Sequence, residues 1–204
     1  MESQTKLFDS TKEFTIKILS GGEKVCTVRF PTDEEWMQRA SRRKTIQHML
    51  GRNKTRSKVV NGDALDAELF AKIRLADGET TTFDEAEASA VISRLEQVTV
   101  KSVVREGDKF RITLAVPGAI TEHLLRMPLR VDADAYADES VSVTGGRREN
   151  EIRVNLDPAG RLYDKICISS TGYAGAVPIV HKDVAVFEVI SELRAMEEDI
   201  DLGN

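Results

Sequence analysis

Eight cationic side chains lie between residues 39 and 58, and no acidic residue occurs from Trp36 to Gly62. Because the whole chain has a formal net charge of -5, this segment creates a local positive field in an acidic protein. Such a field is suited to contact with a phosphate backbone. The cations are Arg39, Arg42, Arg43, Lys44, Arg52, Lys54, Arg56 and Lys58, and a predicted turn in the second half adds Arg147 and Arg148.

The alternative for the basic segment is a solvated helix face and loop, balanced by acids of neighbouring helices or by an acidic partner protein. No aromatic residues suited to base stacking are interleaved with the cations, and no helix-turn-helix, RRM or zinc pattern accompanies them. A solvated or protein-contacting surface is therefore the leading interpretation of these residues, and nucleic-acid binding through residues 39–58 is the alternative.

The histidines and cysteines do not form a recognisable catalytic or metal-binding set. His48, His123 and His181 share no ligand spacing with one another or with the two cysteines. His123 occupies an inward position of a predicted strand, which favours a core or interface role. The glycine-rich loop at residues 172–178 matches no phosphate-binding pattern, and no nucleophile elbow or Ser/His/Asp set is present. We expect a protein that is not an enzyme and needs neither cofactor nor metal.

Composition indicates a globular chain, since 41% of the 204 residues are hydrophobic and 31% are charged. The length allows one large domain or two domains of about 100 residues. Cys26 and Cys167 lack CxxC spacing, so a reducing compartment is expected. The polar N-terminus does not resemble a signal peptide, and no run reaches the length of a membrane span. These features predict a cytoplasmic protein.

The first half begins with a predicted β-hairpin. Residues 14–18 and 26–30 alternate between apolar and polar side chains, as strands with one buried face do. Pro31 ends the second strand because it has no N–H to donate. Thr32 and Glu35 have the spacing of a capping box, so a helix should begin near Asp33.

Three helices are predicted after the hairpin. The first continues to Gly51, since apolar residues recur at helical spacing as far as Leu50. The second begins near Asp63, and the third has Asp84 as its N-cap and Glu87 at the third helical position. Trp36 should be buried in the first helix.

The second half repeats this order of elements. Phe110, Ile112 and Leu114 lie 96 residues beyond Phe14, Ile16 and Ile18, and apolar residues of the last helix lie 98 beyond those of the third helix. An inserted hairpin is predicted at residues 140–156, and a helix opens at Asp157 with proline after it. The prediction is therefore an α+β chain of two tandem similar domains, 1–97 and 98–204, each with a β-hairpin or small antiparallel sheet followed by two or three helices.

Residues 29–36 read Arg-Phe-Pro-Thr-Asp-Glu-Glu-Trp between a strand hairpin and a charged helix. With the small helical region that follows, mainly over residues 12–97, this pattern resembles the tail assembly chaperones and other small assembly proteins of tailed phages. The resemblance implies a phage or prophage-like origin and protein partners or self-assembly rather than substrates. We therefore expect an assembly protein of a phage-like particle, cytoplasmic or virion-associated.

Overall fold

The computed structural model describes the backbone of residues 7–8, 11–18, 22–51, 54–75, 82–145 and 149–201, and side chains within residues 7–8, 23–48, 55–75, 82–145 and 149–196. The strands are β1 (Thr11–Ile18), β2 (Gly22–Arg29), β3 (Thr45–Gly51), β4 (Lys54–Val59), β5 (Thr99–Glu106), β6 (Lys109–Val116), β7 (Ala119–Arg126), β8 (Val141–Gly145), β9 (Glu149–Val154) and β10 (Cys167–Thr171). The helices are α1 (Asp33–Arg42), α2 (Gly62–Ile73), α3 (Glu85–Glu96), α4 (Arg130–Ser140), α5 (Asp157–Ile166) and α6 (Ile179–Asp201).

These elements confirm the predicted α+β class. The strands form an antiparallel hairpin β1-β2 and two four-stranded antiparallel sheets, in the orders β10-β7-β6-β5 and β4-β3-β9-β8. The tandem similarity of the two halves stays a prediction.

The chain groups into two compact units. The N-terminal unit consists of Ser10–Gln97 and Val141–Asn155, and the C-terminal unit consists of Met1–Asp9, Val98–Ser140 and Leu156–Asn204. The predicted hairpin of the second half is present as β8 and β9, but it groups with the first half because β9 pairs with β3.

In the N-terminal unit, the predicted hairpin and capping boxes are confirmed. Phe14 pairs with Cys26 in the β1-β2 ladder, and Cys26 and Val28 are fully buried. The Thr32 side chain accepts a hydrogen bond from the Glu35 N–H, and the Glu35 carboxylate accepts one from the Thr32 N–H at 2.9 Å. The same reciprocal cap opens α3. Two donors that a helix start leaves unpaired are thus satisfied at each helix.

The N-terminal core is aliphatic and aromatic, and it lies where α2 and α3 pack against each other and α1 packs against α2. Trp36 is 1% exposed, as predicted, with its ring 5.9 Å from that of Phe30. The helices contribute buried side chains at helical spacing: Leu65, Leu69, Phe70, Ile73, Ala88, Val91, Ile92 and Leu95.

The prediction that the first helix continues to Gly51 is wrong, because α1 ends at Arg42 and Thr45 begins a strand. The apolar residues from Ile46 onward also fit a strand, and β3 gains backbone partners on both sides, β4 and β9. Because backbone hydrogen bonds with β9 come from a segment about 100 residues away, local periodicity gave no sign of them.

In the C-terminal unit, β6 alternates strictly, with Phe110, Ile112, Leu114 and Val116 buried. Helices α5 and α6 contact each other, α6 contacts β6, and α5 contacts β7. Tight turns join β5 to β6 and β6 to β7, and Gly107 and Gly118 in these turns have φ of 66° and 78°, in the left-handed region that favours glycine.

Candidate functional site

The sheet β4-β3-β9-β8 carries only exposed and half-buried side chains among its described residues. No side chain described in these four strands is buried, and all five residues of β8 are exposed. A sheet in a compact domain ordinarily packs at least one face on the core. Here β8 is exposed along its whole length, whereas β3 and β9 carry half-buried side chains and α1 contacts β9. The β8 edge is therefore open to a partner.

The strand register divides this sheet into two chemically different faces, because directly opposite residues of antiparallel strands lie on the same face. Thr45 is opposite Val59 and Ile152, and Ile152 is opposite Val143. We call this side the neutral face; its described residues are Thr45, Gln47, Thr55, Ser57, Val59, Val141, Val143, Asn150, Ile152 and Val154.

The other side is the charged face. It carries Ile46, His48, Arg56, Lys58, Ser142, Thr144, Glu149, Glu151 and Arg153. Arg153 Nε lies 2.7 Å from Glu151 Oε1, and His48 Nδ1 lies 3.6 Å from Glu149 Oε2. The acids of β9 thus lie beside Arg153 of the same strand and His48 of β3, and Arg56 and Lys58 of β4 share this face with them.

The two edges of the sheet also differ. β4 reads Lys-Thr-Arg-Ser-Lys-Val, and the side chains of Arg56 and Lys58 are exposed. β8 reads Val-Ser-Val-Thr-Gly with no charge and no proline, and Val141 and Val143 are 45% and 58% exposed. Proteins commonly protect an edge strand with lysine, arginine or proline. β4 has this protection and β8 lacks it.

The structure separates the predicted basic residues into several environments. Arg39 is buried, with Nε 2.6 Å from Asp66 Oδ1 and its terminal nitrogens 3.0 and 3.1 Å from the two oxygens of Glu96. Arg42 forms a bidentate salt bridge with Glu68, and Arg43 Nη1 lies 3.8 Å from Glu96 Oε1. These three arginines join helices within the unit and do not form a common patch.

The remaining basic residues follow β3 and β4. Lys44 is exposed at the end of α1, and Arg56 and Lys58 share the charged face. Lys54 begins β4, but its side chain lies outside the described residues. Arg52, Arg147 and Arg148 lie wholly outside them. The predicted basic helix is therefore a helix end followed by two strands.

The C-terminal unit contains a buried polar cluster that the sequence did not indicate. His123 Nδ1 is 2.7 Å from the Tyr163 hydroxyl, and the Tyr173 hydroxyl is 3.1 Å from both His123 Nε2 and His181 Nδ1. The Thr121 hydroxyl lies 3.2 Å from the same Tyr173 oxygen. Both histidines are fully buried, which agrees with the inward position predicted for His123.

Burial sets the protonation of this cluster. It lowers the pKa of His123 to about 4 and the pKa of His181 to about 3, with His123 adding to the effect on His181. It also raises the pKa of both the Tyr163 and Tyr173 hydroxyls. All four rings are therefore neutral near pH 7, and the hydrogen bonds among them satisfy polar atoms that would be costly to bury alone.

A small cavity of about 160 Å³ lies between α4 and α5. Lys165 pairs with Asp132 at 2.8 Å, and Arg161 pairs with Glu139 on the same rim. The walls include Tyr136, and the charges of opposite sign are already matched within the chain. The cavity thus shows no preference for an anion or a cation.

The basic segment was visible in the sequence, whereas the exposed sheet and the His-Tyr cluster were not. The alternation of β8 and β9 signalled a hairpin, but nothing in the sequence signalled its pairing with β3. Tyr173 joins two histidines that are 58 positions apart, and its only sequence signal is the glycine-rich loop around it.

Among the described residues, no three His, Cys, Asp or Glu side chains gather as metal ligands. No described helix combines the length and apolar composition needed to cross a membrane. The chain matches no protein-family model, no curated protein and no solved structure.

Proposed function

We propose that this chain is a non-enzymatic protein–protein assembly component that acts through the sheet β4-β3-β9-β8. The observation that carries the proposal is the uncharged edge strand β8, all five residues of which are exposed. An unpaired edge presents a row of backbone N–H and C=O groups, which an added strand can satisfy while side-chain pockets supply specificity.

The apolar content of the neutral face supports the same function. Val141, Val143 and Val154 are 45%, 58% and 43% exposed, and they lie on adjacent strands. Isolated exposed valines are ordinary, but neighbouring ones beside an open edge are typical of a surface that meets another protein. Their burial against a partner adds a hydrophobic contribution to the backbone hydrogen bonds.

The proposal extends to assembly of a phage-like particle, in the cytoplasm or on the virion. Its support is the resemblance of residues 12–97 to phage assembly proteins, centred on the strand, proline and capped helix at residues 29–36. The gene neighbourhood tests the phage-like assignment, because we then expect tail or head genes beside the gene for this chain.

A tandem duplication is a further part of the proposal. In chain order, β1-β2-α1-β3-β4-α2-α3 in the first half corresponds to β6-β7-α4-β8-β9-α5-α6 in the second, with β5 and β10 additional. The two short hairpins β3-β4 and β8-β9 lie side by side in one sheet. Superposing the two series of elements tests the duplication, and a failure to align the helices and hairpins would contradict it.

Light scattering on the purified chain, alone and mixed with each neighbouring gene product, tests the assembly function. We expect self-association or a stable complex, weakened by Ser142→Lys in β8 and unaffected by Ser57→Lys in β4. The two substitutions add the same charge to exposed serines of opposite edges. A protein that stays monomeric and without partner in every mixture would refute the proposal.

Nucleic-acid binding is the second candidate, favoured by the exposed Arg56 and Lys58 on the charged face. Each phosphate neutralised on duplex DNA contributes about 0.9 to the slope of log K against log salt. Fluorescence anisotropy with DNA and RNA at about 50 mM salt should then show binding that weakens steeply as salt rises. The double variant Arg56→Glu/Lys58→Glu should abolish that binding, and Arg161→Glu in the C-terminal unit is the control. Absence of binding at low salt would exclude this candidate.

A further inference from the structure

We infer that the β8 edge pairs with the β8 edge of a second copy of this chain. The strands run antiparallel about a twofold axis, so two four-stranded sheets join into one continuous sheet. This inference rests on the proposed function and names its partner.

The two edges of the sheet differ in charge, and this difference favours β8 over β4 as the strand that pairs with a second copy. Side by side, two β4 strands would bring Arg56 and Lys58 of one copy near the same cations of the other, and like charges across strands are destabilising. β8 has no charged side chain. When two β8 strands pair, no like charges are therefore placed opposite each other and no ion loses its hydration.

The sequence of β8 is suited to pairing with itself. An antiparallel pair of identical strands is symmetric, as a twofold interface requires. If the axis passes at Ser142, Val141 lies opposite the partner's Val143. If it passes at Val143, Ser142 lies opposite the partner's Thr144. In both registers the valines of the two copies remain on one side of the joined sheet.

Pairing also makes the neutral face continuous. In each copy, Val141 is opposite Val154 and Val143 is opposite Ile152. The twofold axis places these four side chains beside the same four of the second copy. Part of the exposed valine surface is then buried, which adds to the new backbone hydrogen bonds. Because five residues a side make a small interface, we expect a dimer that dissociates on dilution.

Sedimentation velocity over a wide concentration range tests the dimer. The unmodified chain should pass from monomer to dimer as concentration rises, without larger species. Ser142→Lys should raise the dissociation constant at least tenfold, since the two added lysines are directly opposite in the Ser142 register and diagonal neighbours in the Val143 register. Ser57→Lys on β4 should change it less than twofold. Far-UV circular dichroism of both variants checks that they are folded. Equal effects of the two substitutions would overturn the β8 pairing.

Disulfide trapping tests the symmetry independently of any loss of stability. In a Cys167→Ser background, where the remaining Cys26 is buried, Ser142→Cys or Val143→Cys should give a covalent dimer on mild oxidation. Ser57→Cys should give none. If neither β8 variant forms a dimer and the Ser142→Cys/Ser57→Cys double variant forms a ladder of oligomers, the pairing is head-to-tail and the twofold arrangement is wrong.

These results separate the inference from the proposed function. A chain that stays monomeric alone but binds a neighbouring gene product through β8 overturns the self-pairing and keeps the assembly function. A chain that does neither overturns both.

Discussion

Arg39 Nε donates a hydrogen bond to Asp66 Oδ1 over 2.6 Å, and both side chains are only 5% exposed. The other oxygen of Asp66 accepts from the Ser89 hydroxyl, and the terminal nitrogens of Arg39 reach Glu96. This network links α1, α2 and α3. A residue that the sequence suggests for nucleic-acid contact thus stabilises the packing of three helices.

Loss of this arginine should be far more costly than loss of its exposed neighbour. We expect Arg39→Met to lower the free energy of unfolding by about 3–5 kcal/mol, because it leaves the buried Asp66 carboxylate without its cation. Arg42→Met, which breaks the exposed pair with Glu68, should lower the free energy of unfolding far less, because solvent screens an exposed ion pair. Urea unfolding of both variants makes the comparison, and similar losses would contradict it.

The N-cap of α1 should contribute measurably to stability. Thr32→Ala removes the side-chain acceptor for the Glu35 N–H and should lower the free energy of unfolding by about 1 kcal/mol. Ser41→Ala is the control, because the Ser41 hydroxyl bonds the Gln38 carbonyl near the exposed end of the same helix. In thermal unfolding, the Thr32→Ala variant should have a lower melting temperature than the Ser41→Ala variant.

Trp36 should be a major contributor to the N-terminal core. It is 1% exposed, and the Arg39 guanidinium carbon lies 5.4 Å from its ring centre. Trp36→Ala should cost about 3–5 kcal/mol through lost burial and the cavity left behind. Trp36→Phe, which keeps part of the ring volume, should cost less. If the two substitutions destabilise equally in denaturant unfolding, packing is not the cause.

The buried histidines should make stability sensitive to acid. The pKa of His123 is lowered to about 4 by burial, below its ordinary value of 6.5, so the unfolded chain binds a proton more readily. His123 therefore contributes stability above pH 6.5 that is lost as pH falls through about 4. Relative to His123→Gln, the unmodified chain should lose stability over this window. Parallel curves of unfolding free energy against pH would contradict the expectation.

Asp183 should make the folded chain less stable as pH rises, opposite to the effect of the histidines. Burial raises its pKa from 3.8 to about 6, although a hydrogen bond with Tyr136 works against the rise. The folded chain then holds this proton more tightly, so the stability contribution is full below pH 3.8 and is lost as pH rises through about 6. Asp183→Asn should remove that loss. The difference in unfolding free energy between variant and unmodified chain should grow from pH 4 to pH 7, and a difference that stays constant over this range would contradict the expectation.

Local signals predicted the parts of the fold that depend on neighbours in sequence. Thr32 and Glu35, and Asp84 and Glu87, are three residues apart, so their capping boxes could be recognised directly. The end of α1 was misplaced because residues 45–51 fit helix and strand alike until β9 offers backbone partners.

The candidate site depended almost entirely on contacts between distant residues. Arg39 and Arg56 look equivalent in a list of cations, yet one is buried with Asp66 and the other is exposed on a strand. The local pattern contains no information on which acids approach which bases. It also gave no sign that His123 and His181 meet at Tyr173.

Composition, periodicity and capping patterns were sufficient to establish the α+β class, most element positions and the lack of a recognisable catalytic motif. These properties arise from interactions within a few residues along the chain. The open β8 edge, the two faces of its sheet and the sorting of the arginines arise from the folded chain, because strand pairing and burial join residues about 100 positions apart. That long-range pairing makes β8 an edge, and the edge is where we expect assembly to occur.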